Sequence, residues 1–441
     1  MSRDAIAIVN RLRRRGHEAF LVGGCVRDLL LGKKPKDYDI ATSARPEEVT
    51  AAFPRTISVG SRFGVVIVRR AGRNFEVATF REDSDYSDGR HPDRVVFSTA
   101  RADACRRDFT INGMFLDPAS GKVLDFVGGR KDLEAGIIRA IGDPDRRFDE
   151  DKLRMLRAVR FAARLGYKIE KRTAAAIRRR AAEVREVSAE RIGAEVAMIL
   201  TSAGSARGFR LLEDLGLLAA VLPEVAAMRG VPQPPEFHPE GDVLEHTLIM
   251  LDLIPARRRE SLALALAVLL HDVGKPPTMT VNDRIRFNHH PSVGAEMAAQ
   301  ILRRLRLPRE TSDLVETLVR EHLKFIEVKN MRPATLKRFL RQDRFDLHLE
   351  LHRLDCLGSH GNLSSYRFCK RKLRELGRER QALRPPRLVG GDDLIALGLT
   401  PGPEFKRLLA EVEDAQLEGW VKSRDEALAL VRRRAGEPET G

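Results

Sequence analysis

The stretch Ala19-Phe-Leu-Val-Gly-Gly-Cys-Val-Arg-Asp-Leu-Leu-Leu-Gly32, continued by Lys-Lys-Pro-Lys-Asp37-Tyr-Asp39-Ile-Ala-Thr42, narrows the fold more than any other part of the chain. An apolar run, Phe20-Leu21-Val22, breaks at Gly23-Gly24 and gives way to a helix-like segment carrying Arg27 and Asp28. A polar turn from Lys33 to Lys36 then leads back into apolar residues. The order is strand, tight turn, helix, strand. Alternate residues of a strand face the same side, so Asp37 and Asp39 would present two carboxylates together. Such a pair suits Mg²⁺ held against a substrate phosphate, and the glycines let backbone come close to that phosphate. The same residues also satisfy a plain strand, turn and strand with surface acids.

Further short strands are expected at Tyr38 to Ala41, Thr56 to Val59, Val65 to Arg69, Phe75 to Phe80 and Val123 to Asp125. Turns at Gly60, Gly64 and Gly72 separate them and support a small mixed sheet behind a first amphipathic helix over residues 4 to 16. Arg81 to Ser98 reads as a long loop, and residues 104 to 116 as a helix. After Gly142-Asp143-Pro144 the pattern turns helical almost without interruption, with the Pro-rich segment 231 to 239 as the best internal boundary and Pro385-Pro386 as a weaker one. The fold class expected is therefore α+β, a small sheet domain followed by an all-α remainder. The division expected is 1–142, 143–230, 231–384 and 385–441.

Composition adds a partner class. The 441 residues carry 78 Lys+Arg against 63 Asp+Glu, a formal charge of +15, which points to a polyanion, most simply nucleic acid. Aromatic residues are only 5 %, so phosphate contacts are expected to outweigh base stacking. The cysteines Cys25, Cys105, Cys356 and Cys369 form no CxxC pair or secreted framework, which fits a reducing compartment. The longest apolar run, Leu262 to Leu270, is too short to span a bilayer, and the basic N-terminus lacks a signal-peptide apolar core. A cytoplasmic location and no membrane partner are the expectations.

Two more stretches carry chemistry. In Arg106-Arg107-Asp108-Phe-Thr-Ile-Asn112-Gly113, two arginines ahead of a helix would clamp a triphosphate, and Asp108 and Asn112 would share a helix face toward a ribose or the arginines. In Asp149-Glu150-Asp151-Lys-Leu-Arg154-Met-Leu-Arg157-Ala-Val-Arg160-Phe-Ala-Ala-Arg164, acids in a first turn precede a stripe of arginines beside an apolar stripe. A solvated basic face fits that pattern too. Asp151 three residues before Arg154 instead pairs one acceptor with one donor, enough to read the edge of a base.

LVGGCVRDLLLG, DYDIAT, RRDFTINGM and EDKLRMLRAVRFAARLG occur in this order and spacing. Together they resemble the class II tRNA nucleotidyltransferase (CCA-adding enzyme) and bacterial poly(A) polymerase family, within the polymerase-β-like nucleotidyltransferases. The resemblance is strong over residues 19 to 170 and weaker through Ser188-Ala-Glu-Arg-Ile192. It implies that Asp37 and Asp39 hold Mg²⁺ and carry the catalysis. It places Gly24 and Arg27 against the triphosphate, Arg107 beside it and Asp108 near the ribose. Asp151 and Arg154 would pair with the incoming base, supported by Arg157 and Arg160. Tyr86 to Pro92 matches the family's flexible loop, which helps switch nucleotide specificity, and Glu76 would be a supporting acid.

In the second half, His246, His271-Asp272-Val-Gly-Lys275 and Asp355 fall on separate helical segments, which a bundle can converge on a metal. They resemble an HD phosphohydrolase domain. The resemblance implies one divalent transition metal on His246, His271, Asp272 and Asp355, with His290 and His322 as the extra ligands of a two-metal member and Lys275 meeting a substrate phosphate. The spacing to Gly294-Ala295 favours His290 over His289. His238, His348, His352 and His360 read as surface or structural, and Leu388 to Phe405 resembles the family's helical tail.

The function this implies is template-independent addition of CMP and AMP to the 3′ end of tRNA, with ATP, CTP and tRNA as partners and an HD phosphohydrolase attached. Enzymes that add only CC or only A, and poly(A) polymerases, share nearly the same motifs. From another class, the chain would be chiefly a phosphohydrolase that uses its first half to bind RNA. Its sequence mark would be loss of Asp37, Asp39 or Arg154, and all three are present.

Overall fold

The computed structural model describes residues 1–57, 64–84, 94–236, 238–377 and 383–435, with the backbone alone at 83, 84, 94 and 95. Residues Tyr86 to Pro92, matched above to a specificity loop, lie outside the described residues, as does the end of the strand expected at Thr56 to Val59. The architecture is α+β as expected.

The head begins with helix α1 (Arg3–Arg14), whose apolar positions Ala5, Ile8, Val9 and Leu12 recur at helical spacing and are buried. Strands β1 (Ala19–Val22), β2 (Asp39–Thr42), β3 (Thr56–Ile57), β4 (Val65–Arg70) and β5 (Arg73–Thr79) follow, with helices α2 (Gly24–Leu30) and α3 (Pro46–Ala52) between them. Strands β6 (Arg81–Ser84) and β7 (Arg94–Phe97) precede helix α4 (Ala100–Cys105), and β8 (Met114–Leu116) and β9 (Val123–Asp125) complete the head's strands. The main sheet has seven strands in the order β3-β4-β5-β2-β1-β8-β9. The β2–β5 pair is parallel and the others are antiparallel. Its apolar face is closed by Phe20, Phe80 and Phe115, whose ring centroids lie 6.1 to 6.3 Å apart.

Two expectations for the head fail. Arg81 to Ser98 is not simply a loop, because β6 and β7 pair as a separate antiparallel ribbon at its two ends. Residues 104 to 116 are not one helix: α4 stops at Cys105, a single 3₁₀ turn covers Thr110–Asn112, and β8 starts at Met114. The cause is local. The Asp108 carboxylate takes the N–H of Phe109 at 2.8 Å, and Phe109 bridges to Ala140, so the helical hydrogen bonds are given elsewhere.

Helices α5 (Gly129–Ala135), α6 (Pro144–Glu150) and α7 (Leu153–Leu165) lead out of the head. Helices α8 (Lys171–Arg180), α9 (Ala189–Leu200), α10 (Ser205–Asp214), α11 (Leu217–Val221) and α12 (Pro223–Ala226) continue the same compact unit, which covers residues 1–229 together with 255–265 and 300–309.

The second unit is helical. It contains α13 (Val243–Asp252), most of α14 (Leu262–Leu270), α15 (Lys275–Thr278), a two-stranded ribbon of β10 (Met279–Val281) and β11 (Ile285–Phe287), and the start of α16 (His290–Arg304). Helices α17 (Arg309–Glu321), α18 (Pro333–Leu340), α19 (Phe345–Gly358) and α20 (Ser364–Gly377) follow, then α21 (Gly391–Ala396), α22 (Pro403–Glu418) and α23 (Arg424–Ala435). Phe325, Phe339 and Phe345 centre one apolar cluster, and the last three helices close a second around Leu394, Leu408 and Val431. Among the described residues no helix is long and apolar enough to cross a membrane.

Candidate functional site

The first site is built around the turn between β1 and α2. Gly23 adopts φ +73°, and a Cβ there would stand 3.1 Å from Arg107 Nη1, so both conformation and space call for glycine. Antiparallel pairing sets Asp39 opposite Val22, at the mouth of that turn. Asp37 precedes β2 rather than lying in it, yet it lines the same cavity as Asp39. The parallel register of β2 on β5, Ile40 against Val77, brings Glu76 alongside Asp39. Burial, Glu76 and Asp37 push the Asp39 carboxyl up to about 6, while the Arg107 guanidinium works against them. A group of acids this reluctant to ionise together suits a cation.

Arginines complete the cavity wall, each already held. Arg27 is buried, donating to Asp28 Oδ1 at 2.7 and 2.9 Å and to Asn112 Oδ1 at 2.7 Å. Arg106 and Arg107 both donate to Asp103, a fully buried carboxylate at the end of α4. Arg157 grips Asp108 Oδ2 at 2.6 and 2.9 Å, and Asn112 donates to Oδ1 at 3.1 Å. Burial alone would raise Asp108, but the Arg157 charge and these hydrogen bonds hold it down at about 2. Arg160 donates to buried Glu195 at 2.7 Å.

The expected first turn of acids before the arginine stripe is a break between two helices. Glu150 ends α6, Asp151 is extended at φ −156°, and α7 starts at Leu153 with its N–H given to Asp151 Oδ1 at 3.1 Å. The other oxygen, Oδ2, receives Arg191 at 2.8 Å. Arg154 donates to Glu150 at 2.6 Å and to the Arg147 carbonyl at 3.0 Å. One cavity of about 490 Å³ is lined by Gly24, Asp37, Asp39 and Arg107 and also by Asp151 and Arg154.

The second site lies in the helical unit. His246 from α13, His271 after α14 and Asp355 from α19 form one group of converging ligand atoms, and Asp272, His290 and His322 form another. His271 Nε2 lies 3.1 Å from Asp272 Oδ2, linking the two groups. Gly274 is required here: a Cβ would stand 2.3 Å from the His290 carbonyl oxygen. His246 Nε2 and His271 Nε2 are buried and face the carboxylates of Asp355 and Asp272 at 3.2 and 3.1 Å, nitrogen and oxygen donors placed to share a cation. Burial disfavours charge on both His246 and His322. It wins at His322, held near 3 and hence neutral, whereas Asp355 and Glu240 raise His246 to about 9. These six residues fit a divalent metal centre. Lys275 is engaged at 2.7 Å by Asp272 and at 2.6 Å by Gln233.

With both sites described, the comparisons with known proteins become informative. Residues 19–139 match the poly A polymerase head domain, residues 166–229 the probable RNA and SrmB-binding site of polymerase A, and residues 243–352 the HD domain. The first half of the chain is thus similar to CCA-adding enzymes and to bacterial poly(A) polymerases. It is 45 % identical to a CCA-adding enzyme of Geobacillus kaustophilus over 225 residues, 51 % of this chain and 55 % of that protein. It is 40 % identical to poly(A) polymerase I of Haemophilus influenzae over 239 residues, 51 % of this chain and 52 % of that one. The chain thus spans about half the length of the curated relatives it matches. A solved CCA-adding enzyme of Bacillus stearothermophilus in complex with CTP superposes with a TM-score of 0.76 at 28 % identity, covering 99 % of this chain and 98 % of that one. The Thermotoga maritima CCA-adding enzyme complexed with tRNA shares the fold at a TM-score of 0.61 and 20 % identity, covering 98 % and 94 %.

The described residues singled out from the motifs gather into two clusters, one per unit. Arg157 and Arg160 differ in what they face, Asp108 for the first and Glu195 for the second. His289 is set aside by geometry, exposed at φ +61°, while His290 points into the metal centre. His352 is buried and stacks on Phe325 at 4.3 Å, a structural rather than a surface residue. His238, read as surface or structural, lines the second cavity. Asp103, Glu195, Gln233 and Glu240 lie outside the motifs read above, and Arg191 stood in Ser188-Ala-Glu-Arg-Ile192 without an assigned role. A local signal was present for Asp103, three and four residues ahead of Arg106 and Arg107, and for Glu240, in a His-Pro-Glu run just ahead of His246.

Proposed function

We propose that the chain is a template-independent RNA nucleotidyltransferase that adds CMP and AMP to the 3′ end of tRNA, with a metal-dependent phosphohydrolase centre in its second unit. One observation supports this most: a single cavity is lined both by the acids Asp37 and Asp39 and by the acceptor–donor pair Asp151 and Arg154. The similarity to CCA-adding enzymes, one of them solved with CTP, points the same way.

Asp37 and Asp39 would hold Mg²⁺, with Glu76 as a supporting acid. When bound, the cation supplies charge neutralisation at the transferring phosphorus and a lowered hydroxyl pKa. Gly24, Arg27 and Arg107 receive the triphosphate as a pre-oriented clamp, since Asp28, Asn112 and Asp103 fix the guanidiniums beforehand. Asp108, anchored by Arg157, stands at the ribose. Asp151 accepts from the base edge and Arg154 donates to it, in place of a template strand. Arg160 and Glu195 brace α7 against α9. The labour divides over residues 1–142 for metal and triphosphate, 143–230 for the base and RNA, 231–384 for hydrolysis and 385–441 for tRNA contact. In the second unit, His246, His271, Asp272, His290, His322 and Asp355 would hold a divalent transition metal to activate water on a phosphate ester.

The 40 % identity to a poly(A) polymerase I supports poly(A) synthesis as a second reading, beside addition of CC or A alone. One product analysis separates them. tRNA lacking its last three nucleotides, tRNA ending in CC and an unrelated RNA are each offered CTP, ATP or both. Extension of the first by three nucleotides with both triphosphates is expected. Product only from CC-ended tRNA with ATP would overturn full CCA addition, and long tails on the unrelated RNA would overturn the tRNA reading. Asp37→Ala is expected to abolish addition and leave hydrolysis of a phosphate ester unchanged; addition that persists would discard the metal assignment.

A further inference from the structure

Three histidines of the metal centre are oriented in the same way. His271, His290 and His322 each turn Nδ1 to the carbonyl three residues back, at 2.9 Å to Val268, 2.8 Å to Phe287 and 2.7 Å to Val319. A carbonyl oxygen only accepts, so Nδ1 carries the proton and Nε2 presents its lone pair to the centre.

His246 breaks the pattern. Its Nδ1 lies 2.6 Å from Glu240 Oε1 and 3.4 Å from the Gly358 carbonyl, while its Nε2 lies 3.2 Å from Asp355 Oδ1. The same Glu240 oxygen sits 2.9 Å from His238 Nδ1, and the two imidazoles meet edge-on with centroids 4.9 Å apart.

His238, Glu240 and His246 also have the composition of a further metal group. The distances decide against it. Ligands on one ion at bond lengths of about 2.0 to 2.1 Å stand roughly 3.3 Å apart in a tetrahedral shell. Separations of 2.6 and 2.9 Å are instead those of charge-assisted hydrogen bonds. The contacts within the centre fall where ligand spacings should: 3.1 Å for His271 to Asp272, 3.2 Å for His246 to Asp355, 3.3 Å for His290 to His322 and 3.4 Å for His290 to Asp272.

We propose that Glu240 is a positioning residue of the metal centre: its carboxylate holds the Nδ1 proton of His246, so that Nε2 is the ligating atom, and His238 braces that carboxylate from the cavity wall. The proposal rests on reading the centre as a metal site. A carboxylate behind a ligating imidazole fixes its tautomer and raises its basicity more than a carbonyl does. One imidazole out of four is therefore made the strongest nitrogen donor by a residue that never touches the metal.

The test is titration of the full-length, chelator-stripped chain with Co²⁺, followed by the visible d–d absorption of the bound ion. Asp355→Asn, which removes a ligand, defines the signal that belongs to this centre. Glu240→Gln is expected to raise the Co²⁺ Kd about 10- to 100-fold and to shift the absorption bands, with the melting temperature of the metal-free chain unchanged. Glu240→Asp should recover part of the affinity. Unaltered affinity and spectrum in Glu240→Gln would overturn the proposal. So would a loss of affinity that only accompanies a less stable metal-free chain, since that marks a structural role. If the unsubstituted chain gives no signal that Asp355→Asn removes, the metal reading itself falls and the Glu240 assignment with it.

Discussion

Replacing Asp108 with asparagine removes a charge that Arg157, Asn112 and the Phe109 N–H together stabilise. Its folded pKa of about 2 lies below the usual carboxylate value. A depressed folded pKa contributes stability that is complete above the unfolded pKa and disappears as pH falls through the folded one. Asp108→Asn is therefore expected to cost about 2 kcal/mol at pH 7, with the difference from the parent shrinking below about pH 4. Denaturant unfolding of both chains across that range checks it; a constant difference would show that the charge is not the cause. The acids Asp37, Asp39, Asp108 and Asp151 were legible because each sits in a short motif. Long-range partners were not, because they meet only on folding: Arg191 reaches Asp151 across 40 positions, and Glu195 reaches Arg160 from α9. Glu76 is intermediate, since only the parallel register of β2 and β5 turns a strand glutamate into a neighbour of Asp39.

At the level of elements, Gly-bounded runs of β-branched and aromatic residues match most of the head's sheet, and the helical remainder was legible as a class rather than helix by helix. Two of the failures share a physical origin, a side chain that takes a backbone N–H for itself. Asp108 does so before the 3₁₀ turn at Thr110, and Asp151 does so between α6 and α7. Periodicity cannot register such a competition. The approach of the turn after α14 to the first turn of α16 was equally invisible, since it depends on Gly274 lying against Gly294 and the His290 carbonyl. Gly274→Ala should force those segments apart, destabilise the helical unit by about 3 kcal/mol and displace His290 from the metal centre. Thermal unfolding and Co²⁺ uptake together check this, and a chain unchanged in both would refute it.

For the molecule as a whole, an excess of 15 positive charges would make the proposed RNA binding an ion-exchange process. If about four phosphates are neutralised, affinity for tRNA should fall roughly a hundredfold between 50 and 200 mM salt. Filter binding against salt measures the slope; a flat response would mean that recognition rests on uncharged contacts. The order of α+β head and helical remainder was evident from the chain, because the switch in period at Gly142-Asp143-Pro144 is abrupt. The separate closure of α21, α22 and α23 around Leu394, Leu408 and Val431 was not, since nothing in an amphipathic helix names its partner.

Asp151 enters the cavity with both oxygens spoken for, one by the start of α7 and one by Arg191, and Arg154 arrives bonded to Glu150. On the proposed function, a nucleotide base would therefore trade places with contacts that already exist. The right base replaces each bond it displaces, so its net gain is small and its dwell time short. A wrong base breaks the same bonds and leaves some unreplaced, a loss of about 1 to 3 kcal/mol for each stranded group. Selectivity without tight holding is what a polymerase needs when it must release one nucleotide type before accepting the next.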